Sequence, residues 1–540
     1  MIGAPHRSIL SSCPLRAVLH CALVIPLLAT TGCGTTLREY VRNGFQVGPD
    51  YRKPAASVES AWIDYQKDPR VKVGDVDTSQ WWTVFNDTKL NGLIQQASQQ
   101  NLSLRVAGTR ILQAQAVRGI AAGNLFPQVQ QAFGSYDRVQ VSRNVANSPP
   151  NKHFDHWGTG FNLSWELDFW GRYRRGLESA DAALDATIEG YDNVMVLLLS
   201  DVAATYVQIR TLQEELRLVQ ENVALQKQSL AIAEAQYRAG QTDASDVLQT
   251  RNNVEQTEAI IPSLQAALRQ SNNALCILLG IPPRDLLPEL GDGPIPTASP
   301  DVVLCIPADL LRRRPDVRQA ERLVAAQCAQ IGVAESELYP HFAINGVLQW
   351  QSAGLRTLFN SGSTAGSIGP SFVWNILNYG RIQNSVLQQQ ALFQQAVYSY
   401  QETVLKAQRE AEDGIVGFLQ SQDQTEKLQL AVQDITALNG ILLTQANAGA
   451  TNFDRVFVVQ AQATVQQDNY AVSQGTIALN LIRIVRALGG GWQIRLNAPC
   501  PPPPPSNSII LPSDAAERAP PDLPAAETEA IPPAVPLPKS

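Results

Sequence analysis

The sequence predicts a mainly α protein with a transmembrane β part, in which a duplicated unit supplies four strands per chain to a barrel that long helices continue. The first observation behind this reading is an internal repeat. "FNLSWELDFWGRYRRG" from Phe161 matches "PSFVWNILNYGRIQNS" from Pro370 at an offset of 209, which pairs Trp165 with Trp374, Gly171 with Gly380 and Arg172 with Arg381. The same offset pairs Ala239-Gly240 with Ala448-Gly449 and Leu279-Gly280 with Leu488-Gly489. A unit of about 210 residues is too long for a solenoid and points to gene duplication. The second observation is two proline-free stretches, 173–238 and 382–447, rich in Ala, Gln, Leu and Val. As helices rising 1.5 Å per residue each spans about 100 Å, too long for the inside of a compact globule. The third is strict alternation. Phe161, Leu163, Trp165, Leu167 and Phe169 share one face, and Asn162, Ser164, Glu166 and Asp168 the other.

The N-terminal segment, 1–32, reads as a secretory signal. His6, Arg7 and Arg16 precede the apolar run Ala17–Leu28, and Ala29-Thr-Thr-Gly-Cys33 follows. Ordinary cleavage would leave Cys33 without a role. Small residues directly before a cysteine favour a lipobox, with Cys33 thioether-linked to diacylglycerol and acylated, although Thr30 stands where leucine is usual. Several acyl chains on one cysteine anchor firmly, since each buried methylene contributes about 0.8 kcal/mol. An extended acylated segment, 33–78, comes next.

The first repeat covers 79–280. A helix over Leu102–Leu125 is stopped by Phe126-Pro127, strands follow at about 128–142 and 157–169, and a long helix runs to the stop at Gly240. A return helix of about 37 residues ends at Gly280. It is too short to cover the long helix alone, so the unit's first helix must stack on its end. A linker, 281–306, leads to the second repeat, 307–495, which has the same order: helix Pro315–Leu338, strands at about 341–354 and 364–377, then a second long hairpin. The strands pattern like those of a transmembrane barrel, apolar toward lipid and polar toward a lumen. Four strands cannot close a barrel, about eight being the minimum, and an open edge is not viable in lipid. Other copies must complete it, and a trimer is the simplest solution. The chain ends in a proline-rich tail, 496–540, which should be extended and disordered.

Composition excludes several function classes. A net charge of −7 without a concentrated basic face argues against nucleic-acid binding. Arg312-Arg313-Arg314, the densest basic run, reads as a solvated helix end rather than a phosphate site. Of seven cysteines, Cys13 and Cys21 leave with the signal, while Cys276, Cys305, Cys328 and Cys500 are spaced for neither a disulfide framework nor zinc. Five scattered histidines support no metal cluster, and no nucleophile–base pattern or phosphate loop points to an enzyme. No cofactor is expected beyond the covalent lipid on Cys33.

The sequence resembles the outer-membrane factors, the TolC-like channels, and most closely their NodT-type lipoprotein branch. The matching stretches are "VGPDYRKP" (Val47–Pro54), "WWTVFNDTKLNGLIQQASQQNLSL" (Trp81–Leu104), "LLRRRPDVRQAERLVAAQCAQIGVAESELYP" (Leu310–Pro340) and "YSYQETVLKAQREAED" (Tyr398–Asp413). The resemblance implies a homotrimer with a twelve-stranded outer-membrane β-barrel, continued by a long α-helical periplasmic barrel with an equatorial belt near 60–105 and 280–315. It implies a lipid-anchored protein of a Gram-negative outer membrane. It also implies two partners: a periplasmic membrane-fusion adaptor and an inner-membrane pump of the resistance-nodulation-division type, which supplies the energy for small-molecule efflux. The outer channel of a type I protein-secretion system shares the architecture and is the alternative. A poreless structural lipoprotein is disfavoured, because a spacer needs no barrel strands. In the resembled family the turns after the long helices form a periplasmic gate. Asp246 falls on a matching position, while in the second turn Arg455 stands where an aspartate can stand and Asp454 is the lone carboxylate. In such a gate Arg455 would pair with Asp246 or Asp454; the alternative is that Asp454 and Arg455 are surface charges at a helix start. "DFWGRYRRG" and "NILNYGRIQNS" become the joint between barrel and tunnel, turning at Gly171 and Gly380, with Trp170 and Tyr379 at the membrane boundary and Arg172, Arg174 and Arg175 facing phosphates or neighbours of the first helical turn. Only two methionines, Met1 and Met195, disfavour a dedicated copper or silver route.

Overall fold

The computed structural model describes residues 35–497, apart from 65–67, 75–76, 145, 147–149, 298–301, 305–312, 449 and 451–452. The chain divides into two units, 1–494 and 495–540, and the elements below belong to the first. A capped helix, α1 (Leu37–Arg42), and a short strand, β1 (Val71–Val73), lead to a 3-10 turn at Trp81–Phe85. The first repeat follows as α2 (Thr88–Gln100), α3 (Leu102–Gly123), β2 (Val129–Gln140), β3 (His153–Leu167), α4 (Arg172–Arg238), α5 (Ala244–Glu258) and α6 (Ile260–Leu278). After the strand β4 (Val302–Leu304) the second repeat runs α7 (Pro315–Ser336), β5 (His341–Ser352), β6 (Thr364–Val373), α8 (Arg381–Asn447) and α9 (Phe453–Ala487).

The four long strands form one antiparallel sheet in the order β2-β3-β5-β6, and β1 pairs in parallel with β4. The register sets the two faces. Leu167, Trp165, Leu163 and Phe161 align with Phe342, Ile344, Gly346 and Leu348, and these with Phe372, Pro370, Ile368 and Gly366. On the opposite face Ser164 donates to Asn345 at 2.7 Å, and Asn345 donates to Ser371 at 2.7 Å, a polar ladder running across three strands. The sheet is open at β2 and β6.

Each long helix has 67 residues, and both begin after a glycine in the left-handed region. The two return paths differ. In the second repeat α9 is continuous over 35 residues. In the first, the single helix expected there is broken at Ala259 into α5 and α6. Pro262 accounts for the break: it lacks an N–H to give to Glu258, and its ring crowds that carbonyl. The equivalent position in the second repeat is Ala471, which does neither. The predicted end-to-end stacking holds in both units. Gly280, after α6, approaches Gln100 O so closely that an added Cβ would lie 2.5 Å from it, and Asn101 at the start of α3 donates to Leu278 O at 2.9 Å. In the second unit Gly489, after α9, meets Arg314 before α7, where a Cβ would sit 3.0 Å from its Cα.

The main core lies where α2, α4, α6, α8 and α9 converge with the 3-10 turn. Trp81, Trp82, Leu90, Ile94, Leu199, Tyr206, Leu275, Ile415, Phe418 and Ile482 are buried together. Below it, the contact of α4 with α9 turns polar. Asn222 donates to Gln467 at 2.7 Å and Gln460 to Ser229 at 2.9 Å. Glu215 is buried on α4, and burial, then the charge of Asp468 on α9, pushes its carboxyl up to about 7. Burial raises Asp468 as well. Because the folded value of Glu215 exceeds the ordinary 4.5, the penalty for its ionised form is absent below that value and complete above about 7. Stability should therefore rise as pH falls from 8 to 5. Thermal denaturation in detergent should show Glu215→Gln stabilised at pH 8 by on the order of 2 kcal/mol and much flatter across this range. An unchanged pH profile would remove this residue from the account.

Candidate functional site

The joint between sheet and helices is built twice. Gly171 and Gly380 have φ of +82° and +80°, a region open to glycine at little cost, and each turns the chain from strand to long helix. The paired tryptophans have one task. Trp165 Nε1 donates to Leu125 O at 3.3 Å, and Trp374 Nε1 donates to Leu338 O at 3.0 Å, so each fixes the turn at which its repeat's first helix becomes a strand.

The two joints then diverge. In the first, Asp168 caps α4, accepting from Tyr173 N and Arg174 N at 2.9 Å each. Leu377 is its counterpart in the second and cannot do so. The arginine cluster has protein partners. Arg172 pairs with Glu166 and Glu337, whose carboxylates also flank His341. Arg174 binds Asp168 and donates to Gly44 O and Phe45 O at 2.8 and 2.7 Å. Arg175 is buried and reaches Val47 O, Gly48 O, Asp50 and Glu178. Arg174 and Arg175 together thus clamp residues 44–50, and of the two placements expected, phosphates or neighbours of the first helical turn, Arg175 takes the second, because the protein supplies enough acceptors to bury it. Trp170 is half-buried: it stacks on Tyr339 at 4.5 Å and donates to Pro340 O at 2.8 Å. Its counterpart Tyr379 is 98% exposed.

Residues 35–63 form a strap that starts at this joint and continues along α8, where Gln401 donates to Ala55 O, Gln408 to Ser57 O, and Ile63 N to Glu412. "VGPDYRKP" lies within it, with Lys53 and Tyr51 both on Glu321. The sequence held that motif but gave no sign of where it docks, since single-chain periodicity does not report contacts hundreds of residues apart. Of the two joint glycines Gly171 is the tighter: a Cβ there would lie 2.6 Å from Gln46 Cγ and 3.0 Å from Gln46 Cα, whereas at Gly380 the nearest atom is Asn384 Nδ2 at 3.5 Å. Gly171→Val should expel the strap and lower trimer yield in detergent far more than Gly380→Val, which adds only backbone strain of about 1–2 kcal/mol. Equal losses on native gels would show that strain alone matters.

At the far end of the long helices, Gly240 closes α4 with φ +71°. Asp246 sits in the first turn of α5 and accepts a hydrogen bond from Thr242. Lys227–Glu258 and Arg251–Glu234 ion pairs tie α5 to α4. Ala233, Val247, Leu442, Ala446, Val456 and Phe457 bury one another, which joins the tips of the two hairpins. Arg455 is exposed on α9, beside that cluster, and among the described residues it forms no ion pair with Asp246. Asp454 lies in the first turn of α9.

The model of the family described as outer membrane efflux protein matches residues 93–281 and 306–490. The chain belongs to this family. Nodulation protein T of Rhizobium leguminosarum bv. trifolii is 30% identical over 79% of the chain and 91% of its own length. Cation efflux system protein CusC of Escherichia coli O6:H1 is 28% identical over 86% and 97%. Among solved structures, the outer-membrane channel OprN superposes with a TM-score of 0.77 at 29% identity, covering 83% of the chain and 99% of OprN. The protein is therefore an outer-membrane efflux channel component, and its chemistry is conduction, not catalysis. Cys33 lies outside the described residues, as do Arg312, Cys305 and Cys500. Arg314, expected to be solvated, is buried: its guanidinium holds Asp316, Glu410 and the carbonyl of Ala487. The long "LLRRRPDVRQAE" match thus marks a packing junction. Sequence offered one usable sign of this, the proline at the first helical position, which fixes Arg314 beside the start of α7.

Proposed function

We propose that three copies of this chain close a twelve-stranded barrel in the outer membrane of a Gram-negative bacterium, and that the helices continue it as a periplasmic tunnel. The chain would be the passive exit duct of a tripartite system, taking small toxic molecules from a periplasmic membrane-fusion adaptor and an inner-membrane pump of the resistance-nodulation-division type. One observation carries this reading: a four-stranded sheet with an apolar and a polar face is open at both edges and runs through Gly171 and Gly380 into helices of 67 residues. Open edges are not tolerated in lipid, so the sheet needs further copies. The apolar face would meet lipid and the Ser164–Asn345–Ser371 ladder the lumen.

Acylation of Cys33 would anchor the strap, with repeats 79–280 and 307–495 as the two structural halves and 1–32 removed as the signal. Mass spectrometry of the mature N-terminus tests this directly. Asp246, Asp454 and Arg455 would form the periplasmic gate, where threefold symmetry gathers like charges. Asp246→Ala and Arg455→Ala should each raise single-channel conductance in planar bilayers, and unchanged closure in both would end the gate assignment. The purified protein should elute as a trimer and conduct in those bilayers, and a non-conducting protein would refute the channel reading. A deletion strain should become sensitive to small toxic compounds while its secreted proteins are unchanged, which separates efflux from type I secretion. With Met1 and Met195 as its two methionines the chain offers no soft-sulfur path, so organic compounds should dominate that sensitivity over copper and silver.

A further inference from the structure

The helix α1 is short and two-sided. Its inner side is Tyr40, which is buried, donates to Phe169 O at 2.8 Å and lies 5.4 Å from the ring of Trp170. Its outer side is apolar and uncovered: Leu37 is 79% and Val41 54% exposed, one turn apart. Phe45, a turn further on, is 56% exposed. Arg38 and Arg42 form a second exposed stripe beside the first, and Arg52 is exposed too.

Phe45 is held in this position against its own preference. Its φ is +62°, the left-handed region that bulky residues avoid. Phe45 N donates to Tyr40 O at 2.8 Å, and Arg174 holds the carbonyls of both Gly44 and Phe45. In this backbone the Phe45 ring packs edge-on against Tyr40 at 5.5 Å and leaves its other side uncovered, next to Val41.

The location decides what this surface meets. From Tyr40 a chain of ring contacts leads through Phe169 to Phe342 at 5.5 Å and on to Phe372 at 6.3 Å. Phe342 and Phe372 are the lowest pair on the apolar face of the sheet, in register with Leu167. The inner side of α1 is thus packed against the lower end of the apolar sheet face, which places the uncovered outer side at the level where strands give way to helices, beside the face that would meet lipid.

We propose that α1 and the turn after it are a membrane-surface anchor, with Leu37, Val41 and Phe45 entering the phospholipid leaflet beside the barrel and Arg38, Arg42 and Arg52 meeting its anionic headgroups. This rests on the outer-membrane reading above. It adds a contact separate from any lipid on Cys33, made by side chains. Amphipathic helices of this kind bind through buried apolar area together with attraction between basic residues and anionic lipid. The clamp of Arg174 and Arg175 would then fix the height of the strap relative to the bilayer.

Spin labels placed singly at 37, 41 and 45 test this in the full-length acylated trimer, in nanodiscs of phosphatidylethanolamine with phosphatidylglycerol, with Cys305 and Cys500 replaced. The proposal expects labels at 37 and 41 to be relaxed more by oxygen than by a water-soluble nickel chelate, with the preference reduced at least twofold in Arg38→Glu/Arg42→Glu. A preference for the nickel chelate would place the surface in water and overturn it. Protection from both reagents would place it against a second copy, and also overturn it. Bilayer conductance of the same preparation keeps the outcome distinct from failure of the channel reading.

Discussion

Arg175→Ala should release the N-terminal strap and collapse the yield of assembled protein. The Arg175 side chain is only 3% exposed, and Nε and Nη2 donate to the carbonyls of Val47 and Gly48 at 3.1 and 3.2 Å. Asp50 and Glu178 lie 2.8 and 2.7 Å from the guanidinium. Removing one partner of a buried charge network costs about 3–5 kcal/mol, here because the carbonyls of Val47 and Gly48 have lost water as well as their donor, while Asp50 and Glu178 stay half exposed. The surroundings cannot close over the gap. Gly48 already packs backbone to backbone on α7, where a Cβ would lie 2.4 Å from Gly332 Cα. The strap residues should become cleavable by added protease at least tenfold faster. Arg175→Lys should restore little, since a single ammonium cannot serve four acceptors arranged around a planar fork. Cleavage at the parental rate would show that the strap is held elsewhere, along α8.

The second large effect is expected at Arg314. Its side chain is 8% exposed and joins three helices: Asp316 on α7, Glu410 on α8, and the last carbonyl of α9 at Ala487, 2.9 Å from Nη1. The cation also sits where the α9 dipole is negative. Arg314→Ala should lower stability by about 3–5 kcal/mol, read as the midpoint of unfolding in detergent, and leave the outer loops intact. Arg318 occupies the next turn, paired with Glu189 and stacked 4.4 Å over the ring of Trp492. The two arginines share this junction, so the double variant should lose less than the sum of the singles. Strict additivity would mean that they act independently.

The repeat, the two 67-residue helices, the strand faces and the glycine turns were legible in the sequence, because each depends on local periodicity or on a local backbone need. Offset 209 alone identified Gly380 from Gly171, and both prove to have positive φ. The break at Ala259 is legible too, since Pro262 stands in the first return path where Ala471 stands in the uninterrupted second.

The burial of two arginines was not legible, for a different reason. Arg314 looks in sequence like a solvated helix end, and Arg175 like a charge that meets either phosphates or its helical neighbours; the burial of both depends on acceptors from residues 47–50 and from Glu410 and Ala487. Local pattern thus determined which elements this chain forms and in what order. Tertiary structure alone decided that the strap binds at one joint and not at its duplicate, because the clamp needs Arg174, Arg175 and Gly171 together with a partner segment that occurs once in the chain.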